Sequence, residues 1–115
     1  MDTRVIGCGS QQVYLYYYQA YKTVRLMEGH YDWPCKIGFA TGDARLRIKH
    51  QVQTSSPEKP VIGLIVKTDD AYLLEQALHA ILRLNHKDVK NASGEEWFVT
   101  TPDEVKMLCQ MLRRG

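Results

Sequence analysis

The stretch Ala71–Leu84, AYLLEQALHAILRL, has the pattern that decides how the chain folds. Four of its apolar residues recur at helical spacing, which predicts an amphipathic helix packed on a core. These residues are Leu74, Leu78, Ile81 and Leu82. Glu75 and His79 lie one turn apart at the border of this apolar stripe, so their side chains can meet over one patch of surface. Such a carboxylate and imidazole can hold a metal ion or a reacting proton, although residues on a helix flank are more often simply solvated.

Length and composition indicate one globular domain. With 115 residues the chain is long enough for a modest core, and its hydrophobic fraction of 44% and charged fraction of 24% are ordinary. No apolar run approaches the length of a membrane span, and the start of the chain lacks the apolar segment of a secretory signal. We therefore expect a single domain over residues 1–115, with its core at about residues 13–113, and no contact with a membrane.

The cysteines indicate reduced thiols. Cys8, Cys35 and Cys109 are odd in number and widely separated, and no two of them form a CxxC pair. A zinc site is therefore not expected. Free thiols are typical of a cytoplasmic or nucleoid setting.

A basic segment stands out against a formal net charge of only +2. A charge this small does not by itself indicate a protein that binds nucleic acid. Four basic residues nevertheless crowd one short segment, which indicates a local patch for nucleic acid. They are Arg45, Arg47, Lys49 and His50.

Two short strands are predicted before this segment. Residues 13–18 are rich in β-branched and aromatic side chains, and residues 35–39 form a second extended run. Consecutive strands most simply pair antiparallel, so residues 19–32 are predicted to be a long connection, and whether it contains a turn of helix is left open. Residues 1–11 show no periodic pattern and are predicted to be a loose lead-in.

The middle of the chain predicts a helix and a buried strand. Asp43 is a suitable N-cap for a helix that runs to about Val52. Arg45 and Arg47 fall on opposite flanks of its apolar side, so spacing leaves open which of the two reaches a site. After a loop at residues 53–60, the near-continuous apolar run at residues 61–66 predicts a central strand.

The last third of the chain supplies a short extended segment and a helix. Residues 85–94 are polar and are predicted to be a loop, and the aromatic pair in residues 95–99, Trp97 and Phe98, is predicted to fill the core rather than to stack on bases. The final helix has three start signals. They are Thr101 as N-cap, Pro102 at the first helical position and Glu104 in a capping box. The order of elements predicts an α+β fold, with a small, mainly antiparallel three-stranded sheet flanked by helices.

Four motifs in this order resemble the GIY-YIG endonuclease superfamily, and more closely its branch named after a phage T5 open reading frame and a meiotically up-regulated gene. Residues 13–14 (Val-Tyr) stand at the GIY motif and residues 36–38 (Lys-Ile-Gly) at the YIG motif, and a helix with arginine follows. The sequence LLEQALH then occupies residues 73–79, and Glu-Trp-Phe occupies residues 96–98. The resemblance covers nearly the whole chain and implies a GIY-YIG-like fold.

The resemblance also implies a function, a divalent-metal-dependent DNA endonuclease that hydrolyses phosphodiester bonds. Glu75 would bind one Mg²⁺ (or Mn²⁺), which suits hard oxygen ligands and polarises a phosphodiester oxygen. Tyr14 would lie by the attacking water, as a general base or through a proton relay. Arg47, or alternatively Arg45, would contact the scissile phosphate, because a guanidinium matches its oxygens.

The remaining matches imply supporting roles. His79 would act in the same pocket, on phosphate or in proton transfer, and Glu96 is a weaker candidate at its rim. Lys36 replaces the tyrosine of the second motif, as is common in this branch, and would neutralise phosphate charge instead. Gln12 stands where the superfamily has a glycine.

Other functions fit the same residues. A catalytically inactive domain of this fold can hold DNA or a protein partner without cutting, and the missing tyrosine at Lys36 and the modest net charge favour that alternative. DNA is the expected partner of a nuclease, and a fused or separate DNA-binding region would supply specificity. Asn85 and Asn91 are candidates for the superfamily's late asparagine.

Overall fold

The computed structural model describes residues 3–52, 58–90 and 94–114, with side chains as far as Leu112. In chain order its elements are β1 (Arg4–Gly7), β2 (Gln11–Tyr17), α1 (Gln19–Met27), β3 (Trp33–Ala40), α2 (Ala44–Gln51), β4 (Val61–Thr68), α3 (Ala71–Leu84), β5 (Asp88–Lys90), β6 (Glu96–Thr100) and α4 (Pro102–Arg114). The strands form one sheet in the order β1-β4-β2-β3-β6-β5. β1 and β4 run parallel, and the other neighbours are antiparallel. The fold is therefore α+β, as predicted.

The prediction of a three-stranded sheet was wrong, because the sheet has six strands. β2, β3 and β4 form its centre, and the predicted antiparallel pairing of the first two apolar strands is confirmed. The predicted lead-in contains β1, which pairs with β4, and the loop predicted at residues 85–94 contains β5, which pairs with β6. Both added strands are short and mostly exposed. They therefore lack the apolar alternation by which a half-buried strand is recognised.

The connection between β2 and β3 is mostly helical, which answers the question that the sequence left open. α1 occupies Gln19–Met27 and buries none of its side chains. Its end is fixed to the loop that follows, since the Arg25 guanidinium donates to the Asp32 carboxylate at 2.8 Å.

Each face of the sheet has its own apolar core, because successive strand residues point to opposite faces. One core lies under α3 and α4, on the α3 face, and the other lies under α2, on the α2 face. The α3-face core includes Val13, Leu15, Tyr17, Leu78, Leu82, Phe98 and Val105. The α2-face core comprises Tyr14, Tyr16, Ala44, Ile48, Ile65 and Trp97. Trp97 and Phe98 thus both fill core positions, as predicted, but on opposite faces.

The cysteines are reduced thiols, as the sequence predicted. Cys8 is exposed, and Cys35 and Cys109 are buried on the α3 face. Burial raises the pKa of the Cys35 thiol above its ordinary value. This cysteine therefore stays protonated and packs as a small apolar residue.

The N-caps predicted at Asp43 and Thr101 are confirmed, and Asp70 caps α3 in the same way. Asp43, Asp70 and Thr101 each accept a hydrogen bond from a backbone N–H of the first turn, at 2.9, 3.1 and 3.0 Å. The Glu104 carboxylate, which the sequence placed in a capping box, accepts from Lys87 Nζ at 2.8 Å. Within the described ranges, no helix has the length and apolar character needed to cross a bilayer.

A β-bulge at Gly63 lets the start of α4 pack closely against β4. The β2–β4 register shifts between Leu15 and Tyr16, and Gly63 is the extra residue on β4. A Cβ atom at this position would lie 2.6 Å from Pro102 Cγ, which is closer than carbon atoms can approach without a shift. The close contact between β4 and the start of α4 therefore requires glycine at this position.

We expect Gly63→Ala to lower the free energy of unfolding by about 1–3 kcal/mol, because the added methyl group would overpack Pro102. Urea denaturation of the two proteins measures this difference. Gly42→Ala is the matched control, since a Cβ at Gly42 would meet no heavy atom within 4 Å. Equal stabilities of the two variants would contradict this account of the bulge.

Candidate functional site

β3 changes its pairing partner along its length, from β6 in its first part to β2 in its second. β6 pairs with residues 33–35, whereas β2 pairs with residues 36–40. Among the described strands, none pairs with the outer edge of β3 beyond Cys35, and a side chain of α3 lies there instead. His79 Nε2 is 3.0 Å from the carbonyl oxygen of Ile37. Because a carbonyl oxygen only accepts, Nε2 carries the proton in this bond, and Nδ1 faces Glu75 Oε1 at 3.9 Å.

The Tyr14 phenol lies across β3 at Gly38, its direct cross-strand partner. A Cβ atom on Gly38 would overlap the ring and hydroxyl of Tyr14, so only glycine allows this approach. The hydroxyl donates to Gln51 Oε1 at 2.7 Å, at the end of α2. The glycine of the second motif thus has a direct structural role, which is to make room for the tyrosine of the first.

Two charged residues act on the Tyr14 phenol from different helices. Burial raises the pKa of Tyr14 above 10.0, the positive charge of Arg47 and the hydrogen bond with Gln51 lower it, and the negative charge of Glu75 raises it. The raised pKa keeps the phenol protonated at neutral pH, which agrees with its role as donor to Gln51. Arg47 from α2 and Glu75 from α3 are therefore both close enough to Tyr14 to affect its charge state.

The buried phenols also make stability depend on pH. Burial raises the pKa of Tyr14, Tyr16 and Tyr17 in the folded chain above the ordinary value of 10.0. Their contribution to stability is complete below pH 10.0 and is lost as the pH rises from there through the raised values, because only the unfolded chain then ionises readily.

The structure distinguishes the two arginines, between which helix spacing left the choice open and of which the family resemblance put Arg47 first. α2 packs through Ala44 and Ile48, which are both buried. In this orientation the positive charge of Arg47 lowers the pKa of Tyr14. Arg45 and Arg47 are both exposed. The hydrogen bond described for Arg45 is made by its backbone N–H, which donates to the Asp43 side chain. Arg47 is therefore the arginine of the Tyr14 site.

Glu75 is held at the edge of the α3-face core. It is only 8% exposed, and its Oε1 accepts a hydrogen bond from Gln76 Nε2 at 2.7 Å. The His79 ring, one turn later, packs against Phe98 with ring centroids 4.7 Å apart. The α3 residues predicted for the site thus lie together, on a helix fixed by core packing.

A family model described as the T5orf172 domain matches residues 11–113, from the start of β2 into α4. The chain belongs to the T5orf172 domain family. This family is associated with GIY-YIG-like, endonuclease-type domains. The comparisons with curated proteins and with solved structures found no match. Strand β1 lies outside the matched residues, so the T5orf172 match begins with the strand that contains Tyr14.

Lys36 of the T5orf172 domain lies on the same face as Tyr14 but is held by the segment before β6. It pairs with Tyr16 across the β2–β3 ladder. Its Nζ lies 3.2 Å from the Glu95 carboxylate and donates to the backbone carbonyl of Glu96 at 3.4 Å. The ammonium group is therefore next to the Tyr14 site, with an acidic partner of its own.

Glu96, the weaker candidate, is occupied by an ion pair at the rim. Arg83 Nε donates to Glu96 Oε2 at 2.7 Å, and Arg83 Nη2 also contacts Oε1. The bonds and charge of Arg83 hold the pKa of Glu96 below its usual value. The carboxylate of Glu96 is therefore already neutralised by a neighbouring side chain.

The other basic residues predicted to contact nucleic acid lie on the exposed side of α2. Lys49 and His50 are both exposed. His50 and Arg47 line one side of an open groove of about 360 Å³, and the end of β3 and the turn after it line the other. Lys49 is not among the residues that line this groove. Asn85 caps α3 by donating to the Ile81 carbonyl at 2.9 Å, and Asn91 and residues 53–57 of the predicted loop lie outside the described residues.

Sequence reasoning missed the glutamines that fix the site. Gln51 accepts from Tyr14, and Gln76 donates to Glu75. Gln12 Oε1 accepts from the first backbone N–H of α2, at Ala44, and Gln11 Oε1 accepts from that of α3, at Ala71, both at 2.9 Å. Glutamine is not among the common N-cap residues, so these bonds have no recognisable sequence signal. Gln12, noted only as a departure from the superfamily's glycine, therefore helps to position α2.

We expect Arg47→Gln to raise the pKa of Tyr14 further, because it removes the positive charge that favours the phenolate. An ultraviolet titration of tyrosinate would show the shift, with Tyr14→Phe identifying the contribution of this residue. Arg45→Gln, which removes an equal charge two residues earlier, should leave the Tyr14 titration unchanged. The assignment of Arg47 fails if the two variants shift the titration equally.

Proposed function

We propose that this T5orf172 domain is a divalent-metal-dependent DNA endonuclease whose active site is the open edge of β3. One observation carries the proposal. The Tyr14 phenol lies over Gly38 at the edge of β3, where the positive charge of Arg47 lowers its pKa and the negative charge of Glu75 raises it. A cation for phosphate, a carboxylate for a metal and a proton-bearing group are thus brought together from three separate elements. These are the groups that phosphodiester hydrolysis requires.

Arg47, Tyr14 and His79 would each have a separate role in the reaction. Arg47 is exposed and can reach a substrate phosphate, on which a guanidinium binds two oxygens at once. The Tyr14 phenol is protonated at neutral pH and already donates to Gln51. A proton relay through Tyr14 therefore fits better than a free phenolate base. His79 holds one nitrogen on the Ile37 carbonyl, which leaves its second nitrogen for proton transfer or for phosphate.

Glu75 would be the ligand of the metal ion. Among the described residues, no group of three or more His, Cys, Asp or Glu side chains is arranged to hold a metal ion. Mg²⁺, however, keeps several waters and is often bound through only one or two carboxylates. A nearly buried carboxylate whose described contacts are at Oε1 suits such a site. When bound, the ion would supply positive charge to a phosphodiester oxygen.

A second candidate function is DNA binding without cleavage. It is favoured by Lys36, which takes the place of the second motif's tyrosine and is paired with Glu95. An ammonium group does not have the same proton-transfer chemistry as a phenol, but it can contribute to binding a phosphate. The two functions share the same substrate and differ in whether the Glu75 carboxylate is needed.

We expect the protein to nick supercoiled plasmid DNA with Mg²⁺ or Mn²⁺ and not with chelator, and we expect Glu75→Ala to slow nicking by about 10²–10³-fold. The reason is that this change removes the carboxylate that would hold the metal. Glu28→Ala, at the exposed end of α1, is the control carboxylate. Circular dichroism would establish that both variants fold.

Two outcomes would redirect the assignment. Undiminished nicking by folded Glu75→Ala would exclude Glu75 as the metal ligand. Salt-sensitive binding of DNA by a wild-type protein that never cuts would support the binding function instead.

Arg45→Ala and Arg47→Ala should differ in their effect on the rate of cleavage but not in their effect on the salt dependence of DNA binding. We expect Arg45→Ala and Arg47→Ala each to reduce the slope of log K against log salt by about one, because each removes one phosphate contact. With DNA saturated by protein, only Arg47→Ala should slow cleavage. Equal cleavage by the two variants at saturation would show that Arg47 has no special position at the scissile phosphate.

A further inference from the structure

A second pocket lies on the α2 face, away from Tyr14. It has a volume of about 200 Å³, and one lysine and several flat or apolar side chains line it. The lining residues are Tyr21, Pro34, Val89, Lys90 and Trp97. Val89 is the direct cross-strand partner of Trp97, so both side chains lie on one face of the sheet. The Trp97 indole also has an N–H without a hydrogen-bond partner among the described residues.

β3 connects this pocket to the Tyr14 site. Gly38, Lys36 and Pro34 alternate along the strand and therefore share the α2 face. Gly38 lies under Tyr14, and Pro34 lines the pocket. Four residues of strand separate the two positions, which is a distance of about 13 Å. The Lys36 ammonium lies between them.

A row of aromatic rings follows the same path. Tyr14 stacks on Tyr16 with ring centroids 6.1 Å apart, and Tyr16 meets Trp97 edge to face at 5.8 Å. Tyr18 then contacts Trp97 at 6.0 Å and Tyr21 at 6.0 Å. The row begins with the buried Tyr14 and ends with Tyr21, which is 51% exposed. An exposed aromatic face is thus fixed at a defined distance from the site.

The chemistry of this path matches a nucleic-acid strand. Aromatic side chains bind bases by stacking, and lysines beside them neutralise the phosphates between bases. Lys36 and Lys90 lie along the path, at its middle and at the pocket. Bases inside a duplex are already stacked on their neighbours, so only an unpaired base can present its face to Tyr21.

We propose that the pocket between Tyr21 and Trp97 binds an unpaired base of the DNA strand whose phosphate lies at Tyr14. This inference rests on the proposed function and specifies its substrate as DNA with unpaired nucleotides close to the cut. The distance of about 13 Å corresponds to about four stacked steps of one strand, and to fewer steps of an extended strand. The unpaired base therefore belongs within about four nucleotides of the scissile phosphate.

The test compares two DNA probes in the presence of chelator, so that binding is read without cleavage. One probe is a duplex with a short unpaired oligothymidine branch, and the other is the same duplex fully paired. Wild-type protein should bind the branched probe more tightly. Tyr21→Ala should weaken binding of the branched probe by about 5- to 150-fold, the range for loss of one stacked base, and should leave the paired probe unchanged.

Tyr31→Ala is the matched control, because Tyr31 is 85% exposed and does not line this pocket. Lys90→Gln should weaken the branched probe less than Tyr21→Ala does. The proposal is overturned if wild-type protein does not distinguish the two probes, if Tyr21→Ala weakens both equally, or if Tyr31→Ala has the same effect as Tyr21→Ala.

Plasmid cleavage with Mg²⁺ reads the proposed function separately. If the protein cleaves plasmid but does not prefer the branched probe, the proposed base pocket is rejected and the proposed nuclease function stands. If the protein prefers the branched probe through Tyr21 but does not cleave plasmid, the base pocket is supported and the nuclease function is rejected.

Discussion

The close approach of Tyr14 to Gly38 is the constraint on which the site depends. Because position 38 has no side chain, the phenol can lie across β3. β6 ends its pairing with β3 at Cys35, and among the described strands no other takes its place along the rest of β3. A charge from each face therefore affects the pKa of the same phenol, that of Arg47 on α2 and that of Glu75 on α3. Gly38 and the edge of β3 thus allow groups on both faces of the sheet to affect Tyr14, although the two apolar cores lie on opposite faces.

The division of the sheet into two cores gives the site a rigid frame. α3 is fixed by its buried residues Ala71, Leu78 and Leu82, and α2 is fixed by Ala44 and Ile48. Functional side chains that project from packed helices are held more precisely than side chains on loops. In a small domain, the same elements must serve both the core and the site. Tyr14 shows this most directly, since it is 1% exposed and belongs to the α2-face core.

Sequence patterns predicted the elements that bury an apolar side and missed those that do not. α3 has clear periodicity and a cap at Asp70, and the central strand at residues 61–66 is a continuous apolar run. β1 and β5 are short edge strands held by backbone hydrogen bonds. The pattern of side chains in the sequence does not predict such bonds. The choice between Arg45 and Arg47 depended on how α2 turns its buried residues toward the sheet. The chemical roles of Glu75, His79 and Lys36 remain predictions from the family resemblance, because geometry places these groups without showing a reaction.

The adjacent residues Gln11 and Gln12 point to opposite faces of β2, and each accepts the first backbone N–H of the helix on its own face. Both helices that support the site are therefore attached to one dipeptide at the beginning of one strand. Local opening of that strand end would loosen the two helices in a single cooperative event rather than in two independent ones. The relative positions of Arg47 on α2 and Glu75 on α3 would therefore be maintained together, or lost together, with that strand end.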